Sequence, residues 1–222
     1  MPLNNEQIIN AIKKLREVSP QRKFKQSVDL QVTLKDTDVK KPENKIKESV
    51  LLPSGLGKKI SIAIFVDKEL VEDAKKVFDE VILKDDFSNY TNKKLMKKFI
   101  SAHRYYVAQA NLMGDVAQYF GKFLGPKGKM PDPKAGCVIP IKKELLKPVY
   151  EKLQKTVMVR IKEQPLINVL VGNESMKDEE LAANIQAVYN VIEQKLPRHS
   201  EQMGKVYLKM TMSRSVNLWG LS

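Results

Sequence analysis

The sequence predicts an α/β and α+β protein of two domains: a discontinuous split α+β domain with an antiparallel sheet, drawn from both chain ends, and an inserted three-layer α/β domain. Three observations predict it. The first and last stretches alternate apolar and polar residues with period two, as half-buried antiparallel strands do. The middle stretch alternates continuous apolar runs with amphipathic helical patterns, which is the grammar of a parallel sheet covered on both faces. Neither end, at roughly 60 residues, is large enough for a comfortable core of its own, so the two must share one. Domain I is therefore expected at 1–59 and 156–222, and domain II at 60–155. Two crossing strands would join them, a natural hinge because few contacts cross it.

Residues 5–17 read as an amphipathic helix with Ile8, Ile9, Ile12 and Leu15 on one face. Ser27 to Leu34 is a period-two strand: Val28, Leu30, Val32 and Leu34 point inward, and Ser27, Asp29, Gln31 and Thr33 outward. A turn around Lys41-Pro42-Glu43-Asn44 leads to a second strand, Ile46 to Leu52. It stops at Pro53-Ser54-Gly55, with Gly57-Lys58-Lys59 as a connector. Strands then follow at 60–65, 81–83 and 105–110, with helices at about 69–79, 92–102 and 112–122 between and after them. Past residue 155 the first grammar returns. Thr156–Ile161 and Leu166–Val171 read as paired strands, Asp178–Lys195 as a long helix striped by Leu181, Ile185, Val188, Tyr189 and Ile192, and Lys205–Met212 as a last strand. All flank strands are expected in one antiparallel sheet backed by the two helices.

Charge narrows the function. Thirty-nine Lys and Arg against 26 acids give a net charge of +13. Residues 1–59 carry 13 basic and 7 acidic side chains, 60–155 carry 18 and 12, and 156–222 carry 8 and 7. Such a surface gains affinity for polyanions by releasing their condensed counterions; the bland alternative is a solvated lysine-rich surface. No long basic arm exists, so binding would use a folded surface. Apolar residues make up 42% of the chain, as in ordinary globular proteins. A single cysteine, Cys137, cannot form an internal disulfide and fits a reducing cytosol. The N-terminal residues lack the pattern of a signal peptide, and no run of about 18 apolar residues suggests a membrane span.

Catalytic and cofactor signatures are hard to find. The first strand-to-helix turn of the middle segment, Phe65-Val66-Asp67-Lys68-Glu69-Leu70, has no glycine with which to approach a dinucleotide pyrophosphate. The run from Gly121 to Met130 fails the P-loop test: Phe123 stands where the first glycine belongs, and Met130 where a Ser or Thr would bind magnesium. Two distant histidines, His103 and His199, and one cysteine provide no zinc spacing. Cys137 has no base beside it and reads as a small, partly buried apolar residue. Asp85-Asp86 and Asp178-Glu179-Glu180 read as charges at element ends. No catalytic residue, metal or cofactor is expected.

Several spaced segments nonetheless resemble one family, in collinear order over nearly the whole chain. Arg22 to Leu30, Lys41-Pro42-Glu43-Asn44-Lys45-Ile46-Lys47 and Leu52 to Lys58 are similar to the N-terminal block of the ribosomal protein L-one family. Leu124-Gly125-Pro126-Lys127-Gly128-Lys129-Met130-Pro131 is similar to its most recognisable motif, and Val171-Gly172-Asn173 and Thr211-Met212 to later ones. The wording looks archaeal. The resemblance implies the two-domain architecture, with the inserted domain Rossmann-like. It also implies binding to a junction in large-subunit ribosomal RNA at the mobile stalk, help in releasing deacylated tRNA from the exit site, and repression of the protein's own mRNA. The partners would be large-subunit ribosomal RNA, own mRNA, exit-site tRNA and the large ribosomal subunit, in the cytoplasm and with no membrane, the free protein being a monomer.

The resemblance also carries residues over, all on the flanking domain. Phe24, between Lys23 and Lys25, matches an aromatic at the RNA face; the competing reading is a core aromatic. Ser27 and Asp29 match a Thr and a Glu, and a carboxylate there could accept from a 2′-hydroxyl or orient a lysine. Lys45 and Lys47 are candidates for phosphate contact. Thr211, Met212, Ser213, Arg214 and Ser215 stand where the family has Thr-Met-Gly-Pro-Ser, so the close backbone approach that glycine permits is replaced by Ser213 and an added Arg214 donor. Glu163-Gln164 replaces an Asp-Lys pair, losing one basic contact. The Leu124–Pro131 motif is open to two readings, a structured loop or a second phosphate site. Two alternatives to the ribosomal reading are a Rossmann-like nucleotide-dependent enzyme and a ribosome-assembly factor on the same domain.

Overall fold

The computed structural model describes residues 4–39, 41, 44, 46–90, 92–161 and 163–218. Its two compact units are Met1–Lys58 with Lys155–Ser222, and Lys59–Gln154.

In the first unit, helix α1 (Asn5–Val18) opens with a capping box between Asn4 and Gln7 and buries Ile8, Ala11, Ile12 and Leu15. Strand β1 (Ser27–Leu34) alternates as expected, with every second residue buried. Strand β2 (Lys47–Leu51) follows. The C-terminal part supplies β7 (Thr156–Arg160), β8 (Leu166–Asn173), helix α6 (Asp178–Lys195), β9 (Met203–Met210) and a short β10 (Val216–Asn217). Four strands form an antiparallel sheet in the order β10-β9-β1-β8. Its buried side carries Val28, Leu30, Val32, Val169, Val206 and Leu208. At roughly 25 cal/mol per Å² of apolar surface removed from water, such side chains are the main force joining segments nearly 200 residues apart.

One expectation fails here. The flank strands do not make a single sheet: β2 and β7 form a separate two-stranded ribbon, Lys47 opposite Arg160 and Leu51 opposite Thr156. β1 is paired on one side by β8 and on the other by β9, so β2 has no place beside it and pairs with β7 instead. The expected pairing of 156–161 with 166–171 shrinks to one bridge, Ile161 to Ile167.

The second unit is an all-parallel sheet in the order β4-β3-β5-β6, from β3 (Ile62–Val66), β4 (Glu80–Leu83), β5 (Tyr105–Gln109) and β6 (Val138–Ile139). Every residue of β3 and β5 is buried, as strands covered on both faces require. Helices α2 (Val71–Val77) and α5 (Leu146–Gln154) pack together, as do α3 (Lys93–Ala102) and α4 (Met113–Lys127). Ala63, Phe65, Tyr106 and Ala108 of the sheet meet Met96, Phe99 and Ile100 of α3 and Val116, Phe120 and Leu124 of α4 in one core. Phe65 lies 4.8 Å from Phe120 and 5.6 Å from Phe87, ring centre to centre. Sequence patterning had not marked α5, β6 or β10, all short or weakly periodic.

The stop expected near residue 122 also moves. Helix α4 runs on to Lys127 because Val116, Phe120 and Leu124 continue one buried stripe at four-residue spacing, which outweighs the helix-weakening Gly121 and Gly125. It ends at Gly128, whose φ of +63° suits the left-handed cap.

Candidate nucleic-acid interface

The segments before β1 and after β9 meet at one end of the four-stranded sheet, and a buried amide holds them together. Gln26 is 1% exposed. Its Nε2 donates to the Pro20 carbonyl at 3.1 Å, and its Oε1 accepts the Met212 backbone N–H at 3.0 Å. Beside it the Ser27 N–H donates to Thr211 Oγ1 at 3.1 Å. These bonds fix two exposed apolar side chains on neighbouring segments: Phe24 is 50% exposed and Met212 53%. Arg22, Lys23 and Lys25 are exposed around Phe24. Phe24 is thus no core aromatic but a platform set among cations, suited to stacking on an unpaired base.

Lys58 reaches the same place, its Nζ donating to Ser27 Oγ at 3.0 Å. Its approach depends on Gly57, whose φ is +66° and where an added Cβ would lie 2.8 Å from both Asn173 Nδ2 and Met176 Cγ. Asn173 in turn donates to the Gly57 carbonyl at 2.8 Å and accepts the Ser175 N–H at 2.9 Å. Asp29 stands one pleat along β1, between Lys209 on β9 and Leu170 on β8, on the side of the sheet away from Val28 and Leu30. Gln31, Tyr207 and Asn168 form the next row of that open face.

Ser213 folds onto its own turn. Its Oγ accepts the Met210 N–H at 2.9 Å and contacts the Arg214 carbonyl at 2.9 Å. The hydroxyl that replaces the family glycine is therefore engaged within the turn, while Arg214 and Ser215 are exposed beside it. The structure so brings together Lys23, Phe24, Ser27, Asp29, Thr211, Met212, Ser213, Arg214 and Ser215. Lys47 begins the β2–β7 ribbon opposite Arg160, and Glu163 lies exposed between β7 and β8. Both are away from this cluster, toward the end of β1 at Thr33, which pairs with Leu166. Lys45 lies outside the described residues.

Sequence reasoning missed Gln26 and Lys58 as site residues. Gln26 carried a signal in hindsight: a polar side chain directly before a clean strand, inside a stretch already singled out. The Leu124–Pro131 motif takes the structural reading. Lys127 Nζ donates to Ser101 Oγ, and Lys129 Nζ to the carbonyls of Ile100 and His103, capping the end of α3. The glycine-rich run offers no phosphate loop, since Gly121 and Gly125 are helical. Among the described residues, no three His, Cys, Asp or Glu side chains are grouped to hold a metal, and no helix is long and apolar enough to cross a membrane.

The model of the ribosomal protein L1p/L10e family matches residues 12–214. Large ribosomal subunit protein uL1 of Methanothermobacter thermautotrophicus is 41% identical over 215 residues, covering 96% of this chain and 99% of that protein. The protein of the same name from Pyrococcus abyssi is 38% identical over 221 residues, 99% of each chain. That of Methanothermococcus thermolithotrophicus is 39% identical over 211 residues, 95% of this chain and 96% of its own.

Proposed function

The chain belongs to the ribosomal protein L1p/L10e family, a structural and non-enzymatic component of the large ribosomal subunit, and from that premise we propose that it binds the stalk junction of large-subunit ribosomal RNA through the Phe24–Met212 end of its antiparallel sheet. One observation supports this most: two half-exposed apolar side chains, brought together by the buried Gln26, amid exposed Arg22, Lys23, Lys25 and Arg214. Two half-exposed apolar side chains can stack on unpaired bases, and a cationic surround favours a phosphate-bearing partner. Asp29, between Lys209 and Leu170, is suited to accept a 2′-hydroxyl, the group that tells RNA from DNA. Lys58, whose Nζ reaches Ser27 at this end of the sheet, contributes a phosphate contact.

By the same reading the protein moves with the stalk and assists the departure of deacylated tRNA from the exit site. It also represses its own mRNA where the message copies the junction, because one surface serves both RNAs. Gel-shift titration against the junction fragment at several salt concentrations tests the central claim. The expected result is tight, salt-sensitive binding to the junction and much weaker binding to unrelated duplexes. Equal affinity for both overturns it.

A further inference from the structure

We propose that α3 of the second unit is an additional, sequence-independent RNA-backbone contact, made by Lys93, Lys94, Lys97 and Lys98. It rests on the reading that the chain binds RNA and adds a second surface to it.

Helix α3 reads Lys-Lys-Leu-Met-Lys-Lys-Phe-Ile-Ser-Ala. Met96, Phe99 and Ile100 are buried and anchor it to the aromatic core. At about 100° per residue the four lysines and Ser101 fall within one contiguous arc of about 140°, opposite that buried stripe. All four lysines are exposed. The helix is firmly held at both ends: the Asn92 side chain accepts the Lys94 N–H at 3.0 Å, and Lys129 caps the C-terminal carbonyls. The backbone that carries this row of cations is therefore held in place.

A merely solvated face would look different. Among the six described α-helices, α3 alone carries no carboxylate. Lys93–Lys97 and Lys94–Lys98 are like-charge pairs at four-residue spacing, which weaken a helix. Lys93 and Lys94 also occupy the first turn, where the helix dipole favours anions, and no acid is there. Elsewhere in the unit five lysines pair with carboxylates: Lys59 with Asp79, Lys68 with Asp85, Lys84 with Asp115, and Lys76 and Lys143 with Asp73. None of the four on α3 has such a partner among the described residues. Local electrostatics are set against the helix on one face only, the mark of a surface meant to meet opposite charge. RNA is the partner that the rest of the chain indicates. Because lysine is a point charge without a planar fork, the contact is to phosphates and carries no sequence preference.

The test uses the full chain with Lys93, Lys94, Lys97 and Lys98 all changed to Gln. A control changes Lys75, Lys76, Lys142 and Lys143 to Gln, with the same loss of charge in the same unit. Binding is titrated against an unrelated RNA duplex and the stalk-junction fragment at several salt concentrations. For the α3 variant the salt slope should become shallower by about 2–4 units on both RNAs, with at least a tenfold loss on the duplex at low salt and junction selectivity kept. The control should change little, and crosslinks to the duplex should map to residues 93–101. An unchanged slope, an equal loss in the control, or binding of anionic vesicles or acidic protein in place of RNA overturns the proposal. Phe24→Ala is run alongside. If the α3 effect appears but junction selectivity is absent from the parent protein, only the stalk-binding reading falls.

Discussion

The side-chain oxygen of Gln26 lies 3.0 Å from the backbone nitrogen of Met212, across 186 residues of sequence. Through this bond, and the one from Gln26 to the Pro20 carbonyl, a buried amide sets the spacing of two exposed apolar side chains that lie on neither β1 nor β9 themselves.

Gln26→Leu keeps the bulk and removes both partners, leaving the Met212 N–H and the Pro20 carbonyl unsatisfied. The expected destabilisation is about 1–3 kcal/mol. Affinity for the RNA junction should fall beyond what the lost stability explains, because the Met212 turn is released. Urea unfolding together with RNA titration well below the midpoint separates the two effects.

Phe24→Ala and Met212→Asp remove exposed groups, so melting should barely change. Binding to the junction should lose roughly 1–3 kcal/mol in each case, the scale of a stacked or packed RNA contact. Lys58→Gln should instead lower affinity less and reduce the salt slope by about one unit. Titrations at four salt concentrations distinguish the classes.

Arg16 knits the end of α1 to the start of α6. Its guanidinium donates to Asp178 Oδ1 at 2.8 Å and to the carbonyls of Glu174 and Met176 at 2.7 and 2.6 Å. Lysine cannot reproduce three donors in a fixed fork. Arg16→Lys should therefore cost about 1–3 kcal/mol, read as a lower urea midpoint with an unchanged m-value.

Asp79 makes stability depend on pH at the acid end. Burial works against its charged form, but the hydrogen bond from Lys59, the Ile62 N–H at 3.0 Å and the Lys59 charge outweigh it, so its pKa lies below the usual carboxylate value. The folded state thus holds its proton less tightly than the unfolded chain. Its contribution is full above the unfolded pKa of about 3.9 and is lost as pH falls through the lower folded value. Asp79→Asn should flatten the urea midpoint between about pH 5 and pH 3 relative to the parent. An identical profile would show that the carboxylate does not contribute.

Much of this was legible in the residues. The alternation of Ser27 to Leu34 announced β1 and its two faces, and the unbroken apolar run before Asp67 announced a strand covered on both sides. Phe24 between two lysines stood out as a possible platform. Less legible were partners and ends. Nothing in Ile46 to Leu52 says that β1 has no free edge, so β2 looked like a member of the main sheet. The segment past residue 122, with Gly125, looked like a loop because a glycine's cost is local, while the stripe that overrides it, from Val116 to Leu124, depends on a sheet elsewhere in the chain. The same distance hid Gln26: its bonds reach Pro20 and Met212, and no window of sequence contains both.

Sequence alone determined the family, the excess of positive charge, and which side of each long strand and helix turns inward, because periodicity and composition are properties of neighbours along the chain. Tertiary structure alone decided which strands share an edge, that Phe24 and Met212 stand on one surface, and that Lys129 is turned inward as a cap while Lys93, Lys94, Lys97 and Lys98 have no carboxylate partner among the described residues. The physical reason is that a hydrogen bond or an ion pair needs a partner at about 3 Å, and that distance is set by the fold and not by separation along the chain.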